Sequence, residues 1–187
     1  MSGSFSGGSP ITREFEVATP AGTARVELVH PATPAGLVVL GHSAGGDSQA
    51  PLLVRVRDSL AASSFATALV DQPYRVAGRR LPDRAERLDE AMLAILDAID
   101  PVLRGLPLVL GGKSSGARVG CRIARPAGAV AVVALGFPLT PPGGSGGSRA
   151  HELDAGCPVL VVQGDRDAFG GPVDVLRAAG ELPVHVL

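Results

Sequence analysis

Two serines in this chain stand in the same small-residue pattern, Gly-x-Ser-x-Gly. They are Gly41-His42-Ser43-Ala44-Gly45 and Gly112-Lys113-Ser114-Ser115-Gly116. The pattern suits acyl transfer. A nucleophilic serine sits on a sharp strand-to-helix turn, where small neighbours tolerate the strained backbone and let a substrate approach. Such a site also needs an imidazole to take the serine proton and a carboxylate to orient that imidazole. Carboxylates follow in Gly164-Asp165-Arg166-Asp167-Ala168-Phe169-Gly170, and the four histidines are His30, His42, His151 and His185.

A phosphate-binding reading of Gly112-Lys113-Ser114 fails. The pattern G-x-x-x-x-G-K-[ST] requires a glycine at 107 and a loop able to wrap phosphates. Position 107 is Pro107, and the residues after it are an apolar run, PLVLG.

The elements that must position these residues follow from the hydrophobic pattern. Short apolar runs of strand character occupy 24–30, 36–41, 66–71, 107–112, 129–135, 158–163 and 183–187. Several are continuous rather than alternating, as expected of parallel strands covered on both faces. Helical periodicity is clearest over 83–104, where Leu88, Met92, Ile95, Leu96, Ile99 and Leu103 form one stripe. Further helices are expected near 51–63, 116–125 and 172–180. Strands alternating with helices predict an α/β fold, a doubly wound and mostly parallel sheet of about seven strands, with chemistry in the loops beyond the strands' carboxyl ends. The segment 136–150, with three Pro and five Gly, reads equally as a lid or a surface excursion.

Length and composition agree with one domain. The 187 residues suffice for one core, and a 45% hydrophobic fraction argues against disorder. The domain is expected over 11–187, after a Gly/Ser-rich, flexible stretch at 1–10. A net charge of -1 offers no field to recruit nucleic acid or an anionic membrane. Cys121 and Cys157 make neither a disulfide framework nor a zinc signature. With no signal peptide and no membrane-spanning run, a cytoplasmic protein is expected. Oligomeric state cannot be read from the sequence.

The segments LVVLGHSAGGD (37–47), ALVDQPYRVAGRR (68–80), LVLGGKSSGARV (108–119), ALGFPLTPPG (134–143) and VLVVQGDRDAFG (159–170) together resemble the α/β-hydrolase superfamily. Within it they resemble a dienelactone-hydrolase-like branch. That branch also holds the hydrolase-like domain of a chromatin-associated acetyltransferase complex subunit and a testis-expressed relative. The branch usually has His-Gly-Ala-Gly-Gly where this chain has His42-Ser43-Ala44-Gly45-Gly46, which accounts for the second serine motif. In this fold the nucleophile follows several βα units, and acid and histidine come later, so chain order favours Ser114 over Ser43. The resemblance implies a triad acid at Asp167, which also lies in the loop after strand 158–163; Asp165 is its close competitor. The Ser115 amide, with that of Ser43 or Ala44, is expected to form the oxyanion hole. Arg79 and Arg80 read as solvated loop residues, or as residues at the pocket mouth for an anionic substrate.

The imidazole is the departure. Only His185 follows Asp167, and it falls inside the last strand-like run, Pro183-Val184-His185-Val186-Leu187. The sequence reads as stopping where a histidine-bearing loop is due. Three explanations compete: a truncated chain, recruitment of His185 as base, or loss of catalysis. A strand histidine without a catalytic role is the plainer reading of His185. The expected activity is ester or lactone hydrolysis on a small molecule, without cofactor or metal. The alternative is a non-catalytic binding or scaffold protein.

Overall fold

A computed structural model describes residues 10–99, 103–143 and 147–187. Except for Pro10, the N-terminal stretch expected to be flexible lies outside the described residues. The chain enters through a hairpin, β1 (Ile11–Thr19) and β2 (Gly22–His30). The Thr19 hydroxyl closes its turn by donating to the Gly22 carbonyl at 2.7 Å. Then follow β3 (Leu37–Gly41), α1 (Pro51–Ala62), β4 (Ala66–Asp71), α2 (Pro73–Val76), α3 (Ala85–Ala98), β5 (Leu108–Lys113) and α4 (Ser115–Ala127). After β6 (Ala131–Leu135) come a 3-10 turn (Ala150–Leu153), β7 (Val159–Val162), α5 (Pro172–Ala179) and β8 (Val184–Val186).

These strands form one sheet in the order β1-β2-β4-β3-β5-β6-β7-β8. The pairs β1–β2 and β2–β4 are antiparallel, and every later pair is parallel. The sheet has eight strands rather than about seven. The additional one is β1, an edge strand whose sequence ITREFEVAT alternates charged and apolar residues, so it lacks the continuous apolar run of its buried neighbours.

Alternate residues of the central strands face opposite layers. Val38 and Leu40 of β3 and Leu69 of β4 pack on one side with Leu53 of α1. Leu37, Val39, Ala68 and Val70 face the other side, where Leu88, Met92 and Ile95 of α3 and Ile123 of α4 bury their side chains. The expected helix 83–104 is shorter in the structure. It ends at Ala98 because Ile99 turns to extended backbone (φ −64°, ψ 143°), and the sequence signal for that end is Pro101.

The register of β3 and β5 decides where the two serine motifs lie. Gly41 pairs with Gly112, so the motifs leave the sheet side by side at its carboxyl edge. Helix α4 then crosses the strands closely, Gly116 lying over Gly41 and Gly120 over Gly111. A Cβ on Gly116 would stand 2.2 Å from the Gly41 carbonyl oxygen, and one on Gly112 would stand 2.1 Å from the same atom. Only glycine fits either place.

Candidate active site

Ser114 occupies the turn between β5 and α4 with φ 53° and ψ −104°. Among the described residues, Ser64 is the only other non-glycine with a positive φ, and Ser43 has none. Backbone in such a region costs about 1–3 kcal/mol and persists where the surroundings over-determine it. They do so here. The Ser114 amide donates to the Leu135 carbonyl at 3.0 Å, Gly116 donates to the His42 carbonyl at 3.0 Å, and the Ser114 carbonyl accepts from Arg118 at 3.2 Å.

The loop after β3 is fixed through its carbonyls. The Ser43 carbonyl accepts from the Gly46 amide at 3.0 Å and lies 2.7 Å from His42 Nδ1. The Tyr74 hydroxyl donates to the Ala44 carbonyl at 2.9 Å. Burial pushes that phenol up to about 12, so it stays protonated as a donor. The Gln72 amide donates to His42 Nε2 at 3.2 Å, which assigns the proton to Nδ1 and makes it the donor to Ser43. Desolvation lowers the affinity of this buried ring for a second proton, and the ring is neutral and fully engaged. With the carbonyls of 42, 43 and 44 occupied, the amides of Ser43, Ala44 and Ser115 donate to no acceptor among the described residues. Three unused donors therefore lie around the Ser114 turn.

The other expected residues divide. Asp167 is half-buried in the loop that follows β7. A Cβ on Gly136, at the end of β6, would lie 3.6 Å from Asp167 Oδ2. Oδ1 accepts from the Phe169 amide at 2.9 Å. Asp165, by contrast, is 90% exposed beside Arg166. His185 is exposed within β8, opposite Leu160 and two residues short of the end of β7. That register sets it roughly 7 Å back from the loop layer. No hydrogen bond joins it to Ser114 or Asp167 among the described residues. His151 is exposed on the 3-10 turn, and His30 Nδ1 lies 2.9 Å from the Pro31 carbonyl. The structure thus gathers Ser43, Ala44, Ser114 and Ser115, brings Asp167 to the same edge, and leaves His185 apart.

A cavity of about 460 Å³ opens over Ser114, Ser115, Ser43 and Ala44. Pro82, Pro138, Pro142 and Phe169 give it apolar walls, and two arginines the sequence did not single out complete it, Arg118 and Arg149. Arg118 follows Ser114 by one helical turn, a spacing that signals a shared face. Its Nε and Nη2 reach the Glu152 oxygens at 2.7 and 2.6 Å. Arg122 holds Asp89 at 2.8 and 2.7 Å and also reaches Glu152 at 3.2 Å. Burial alone would raise the Glu152 carboxyl, but Arg118 and Arg122 outweigh it and hold it below the usual carboxylate range. Arg79 is clamped by Asp83 at 2.9 and 2.7 Å, and Arg80 is exposed; with Leu81 and Pro82 they line a separate shallow depression. The 136–150 segment is tied at its base, Arg149 donating to Leu139 at 2.8 Å and Thr140 to Phe169 at 3.0 Å. Residues 144–146 lie outside the described residues. No helix among the described residues is long and apolar enough to cross a membrane.

Known structures share this architecture. An alpha-beta serine hydrolase homologue from Coxiella burnetii superposes with a TM-score of 0.77 at 17% identity, covering 94% of this chain and 86% of the other. A dienelactone hydrolase from Anabaena variabilis gives 0.74 at 19% identity over 96% and 85%. A cold-adapted esterase from an Arctic intertidal metagenomic library gives 0.73 at 18% over 100% and 89%. At such identities the likeness is one of fold. No curated protein matches the chain. The family model described as "Alpha/beta hydrolase domain" matches residues 34–186, and the chain belongs to that family.

Proposed function

We propose that the protein is a serine hydrolase of small carboxylic esters or lactones, with Ser114 as nucleophile and Asp167 as the acid of its triad. The observation that carries this reading is the Ser114 turn, strained at φ 53° beside the three unused amides of Ser43, Ala44 and Ser115. Ser114 Oγ would bond to the acyl carbon while its proton passes through a base to the departing alkoxide. The amides hold the negative charge that develops on the carbonyl oxygen. Water then adds to the acyl-enzyme, releasing the acid and returning the proton to Ser114. Within the family we place the chain in the dienelactone-hydrolase-like branch, on the five segments quoted above, and we take it as a cytoplasmic enzyme.

A second reading, a binding protein that keeps the fold and cavity without turnover, rests on one observation. Among the described residues no imidazole hydrogen-bonds to Ser114 or Asp167. Catalysis by the first route needs a base within reach of Oγ. A fluorophosphonate probe with mass-spectrometric mapping, run beside ester turnover, separates the two. The hydrolase reading expects labelling at Ser114, its loss in Ser114→Ala and its survival in Ser43→Ala. It also expects a kcat lower by about 10⁴-fold in Asp167→Asn. Absence of both labelling and turnover supports the binding reading. Turnover that disappears in His185→Ala makes His185 the base.

A further inference from the structure

We propose that Gln163 is a positioning residue for the acid of the triad, its side-chain amide clamping the backbone on which Asp167 stands. The inference rests on the hydrolase reading above for what that position achieves, though not for the clamp itself. Gln163 directly follows β7 and is 6% exposed. Its amide makes three hydrogen bonds, all to main chain. Oε1 accepts from the Phe137 amide at 2.8 Å, and Nε2 donates to the Phe137 carbonyl at 3.2 Å and to the Gly170 carbonyl at 2.6 Å. One side chain thus holds both main-chain groups of Phe137 together with the far end of the 164–170 loop, whose near end it adjoins.

These bonds govern where Asp167 can stand. Inside the loop the Asp167 amide donates to the Gly164 carbonyl at 3.1 Å, and the Gly170 amide donates to the Asp167 carbonyl at 3.2 Å. Asp167 Oδ1 is taken by the Phe169 amide, which leaves Oδ2 beside Gly136 and without a partner among the described residues. Gly136 and Phe137 are consecutive, so the two bonds from Gln163 to Phe137 also fix the backbone against which Oδ2 rests. Both ends of the loop and the surface facing its carboxylate therefore answer to one amide. An uncharged amide suits this task, because it offers an acceptor and two donors in one plane. Phe137 is fully buried, so without that amide its N–H and carbonyl would have no water to turn to.

No other side chain shares this task. Among the described residues, 136–143 and the 164–170 loop otherwise hydrogen-bond only through Thr140, whose amide and hydroxyl reach the Phe169 carbonyl at 3.0 and 3.2 Å. Those bonds hold Phe169, a wall of the cavity, rather than Asp167. The Thr140 hydroxyl also duplicates a backbone bond that survives its removal. Loss of the Gln163 amide should therefore fall on kcat, whereas loss of the Thr140 hydroxyl should fall on nothing.

The test uses the full chain with p-nitrophenyl acetate, at enzyme concentrations that bring slow variants into range. Gln163→Met keeps the side chain's size and removes all three bonds. It should lower kcat about 10²-fold, the cost of misplacing a catalytic group by about 1 Å, while KM stays within about 3-fold. In the Asp167→Asn background the same change should cost no more than about 2-fold, because a residue acting only through Asp167 has nothing left to position. Thr140→Val should stay within about 2-fold of wild type. Hydrogen exchange read by mass spectrometry should show 136–141 and 164–171 losing protection together in Gln163→Met while the central strands keep theirs. Gln163→Glu, which still accepts from the Phe137 amide but loses both donations at neutral pH, gives the same readings if the methionine variant does not fold. A kcat within about 3-fold of wild type, a loss carried by KM, or losses that multiply in the double variant overturns the inference. An equal loss in Thr140→Val, or protection retained in either stretch, does so too. If the wild-type chain neither turns over the ester nor reacts with the fluorophosphonate, the hydrolase reading fails and exchange alone judges the clamp. Joint loss of protection then upholds it, and protection retained in either stretch overturns it.

Discussion

The Tyr74 hydroxyl donates a 2.9 Å hydrogen bond to the carbonyl oxygen of Ala44, across 30 residues of sequence. That carbonyl shares its peptide plane with the Gly45 amide, and the two preceding peptide units carry the Ala44 and Ser43 amides. The phenol thereby restrains the loop that holds those amides beside the nucleophile turn. Tyr74→Phe removes the hydroxyl and leaves the ring, which packs 5.6 Å from His42. It should lower kcat about 10-fold with little change in KM, less than the 10²–10³ lost with an oxyanion donor itself. Unfolding in urea should show a stability loss of about 1 kcal/mol. A rise in KM of the same size, with kcat unchanged, would mean that the hydroxyl serves binding instead.

Gly116→Ala should destabilise the fold by about 3 kcal/mol, because its Cβ would meet backbone that cannot yield, the Gly41 carbonyl at 2.2 Å. Gly45→Ala is the contrast. Nothing lies within 4 Å of a Cβ there, and its stability should stay within about 0.5 kcal/mol of wild type. Chemical denaturation of the two variants decides the matter, and similar midpoints would refute the packing argument.

Ser114→Gly should make the protein more stable while removing its nucleophile. Relief of the positive φ returns about 1–3 kcal/mol. The extra freedom of glycine in the unfolded chain takes back about 0.5–1 kcal/mol. A net gain of about 1 kcal/mol is expected, read as a rise in the denaturation midpoint. A fall instead would show that the turn holds no strain.

His42 predicts an acid-sensitive step in stability. The folded state lowers its pKa below 6.5 by burial, so the unfolded chain binds more protons once pH falls through that value. Stability should be insensitive to this ring above about pH 7. It should decline below 6.5, with a slope of at most about 1.4 kcal/mol per pH unit from this group. Glu152 acts in a separate, lower window, since its depressed folded pKa matters only as pH drops through its unfolded value of 4.5. His42→Asn should be less stable at neutral pH but flatter between pH 7 and 5. Parallel curves for the two proteins would locate the sensitivity elsewhere.

Much of the fold was legible because burial on both faces writes itself into continuous runs. Leu37–Gly41 and Ala66–Asp71 are strands with every residue buried, and among the described residues no other element of that length carries such a pattern. The edge strand β1 escaped because one side of it meets water and its charges break the run. Helix α2 is a single turn, too short for a period to show. The two serine motifs are identical as patterns; what separates them is a backbone angle, set by how α4 sits on β3 and β5, and only chain order hinted at it. Arg149 was hidden for a different reason: it reaches the cavity wall because the 136–150 excursion folds back on itself, the Arg149 amide donating to the Leu139 carbonyl, and no local sequence pattern records that return.

The contact between α4 and the Gly41 backbone also governs how this protein can change over generations. The floor of the cavity is main chain pressed on main chain, so single substitutions at Gly112 or Gly116 meet a steric wall before they can alter any preference. The ceiling is built from Pro82, Pro138, Pro142, Arg149 and Phe169, all on loops that leave the sheet. Selection for a new substrate therefore has almost its whole field of play in the ceiling, and libraries confined to those five positions should yield altered ester preferences while the melting temperature of the scaffold barely moves.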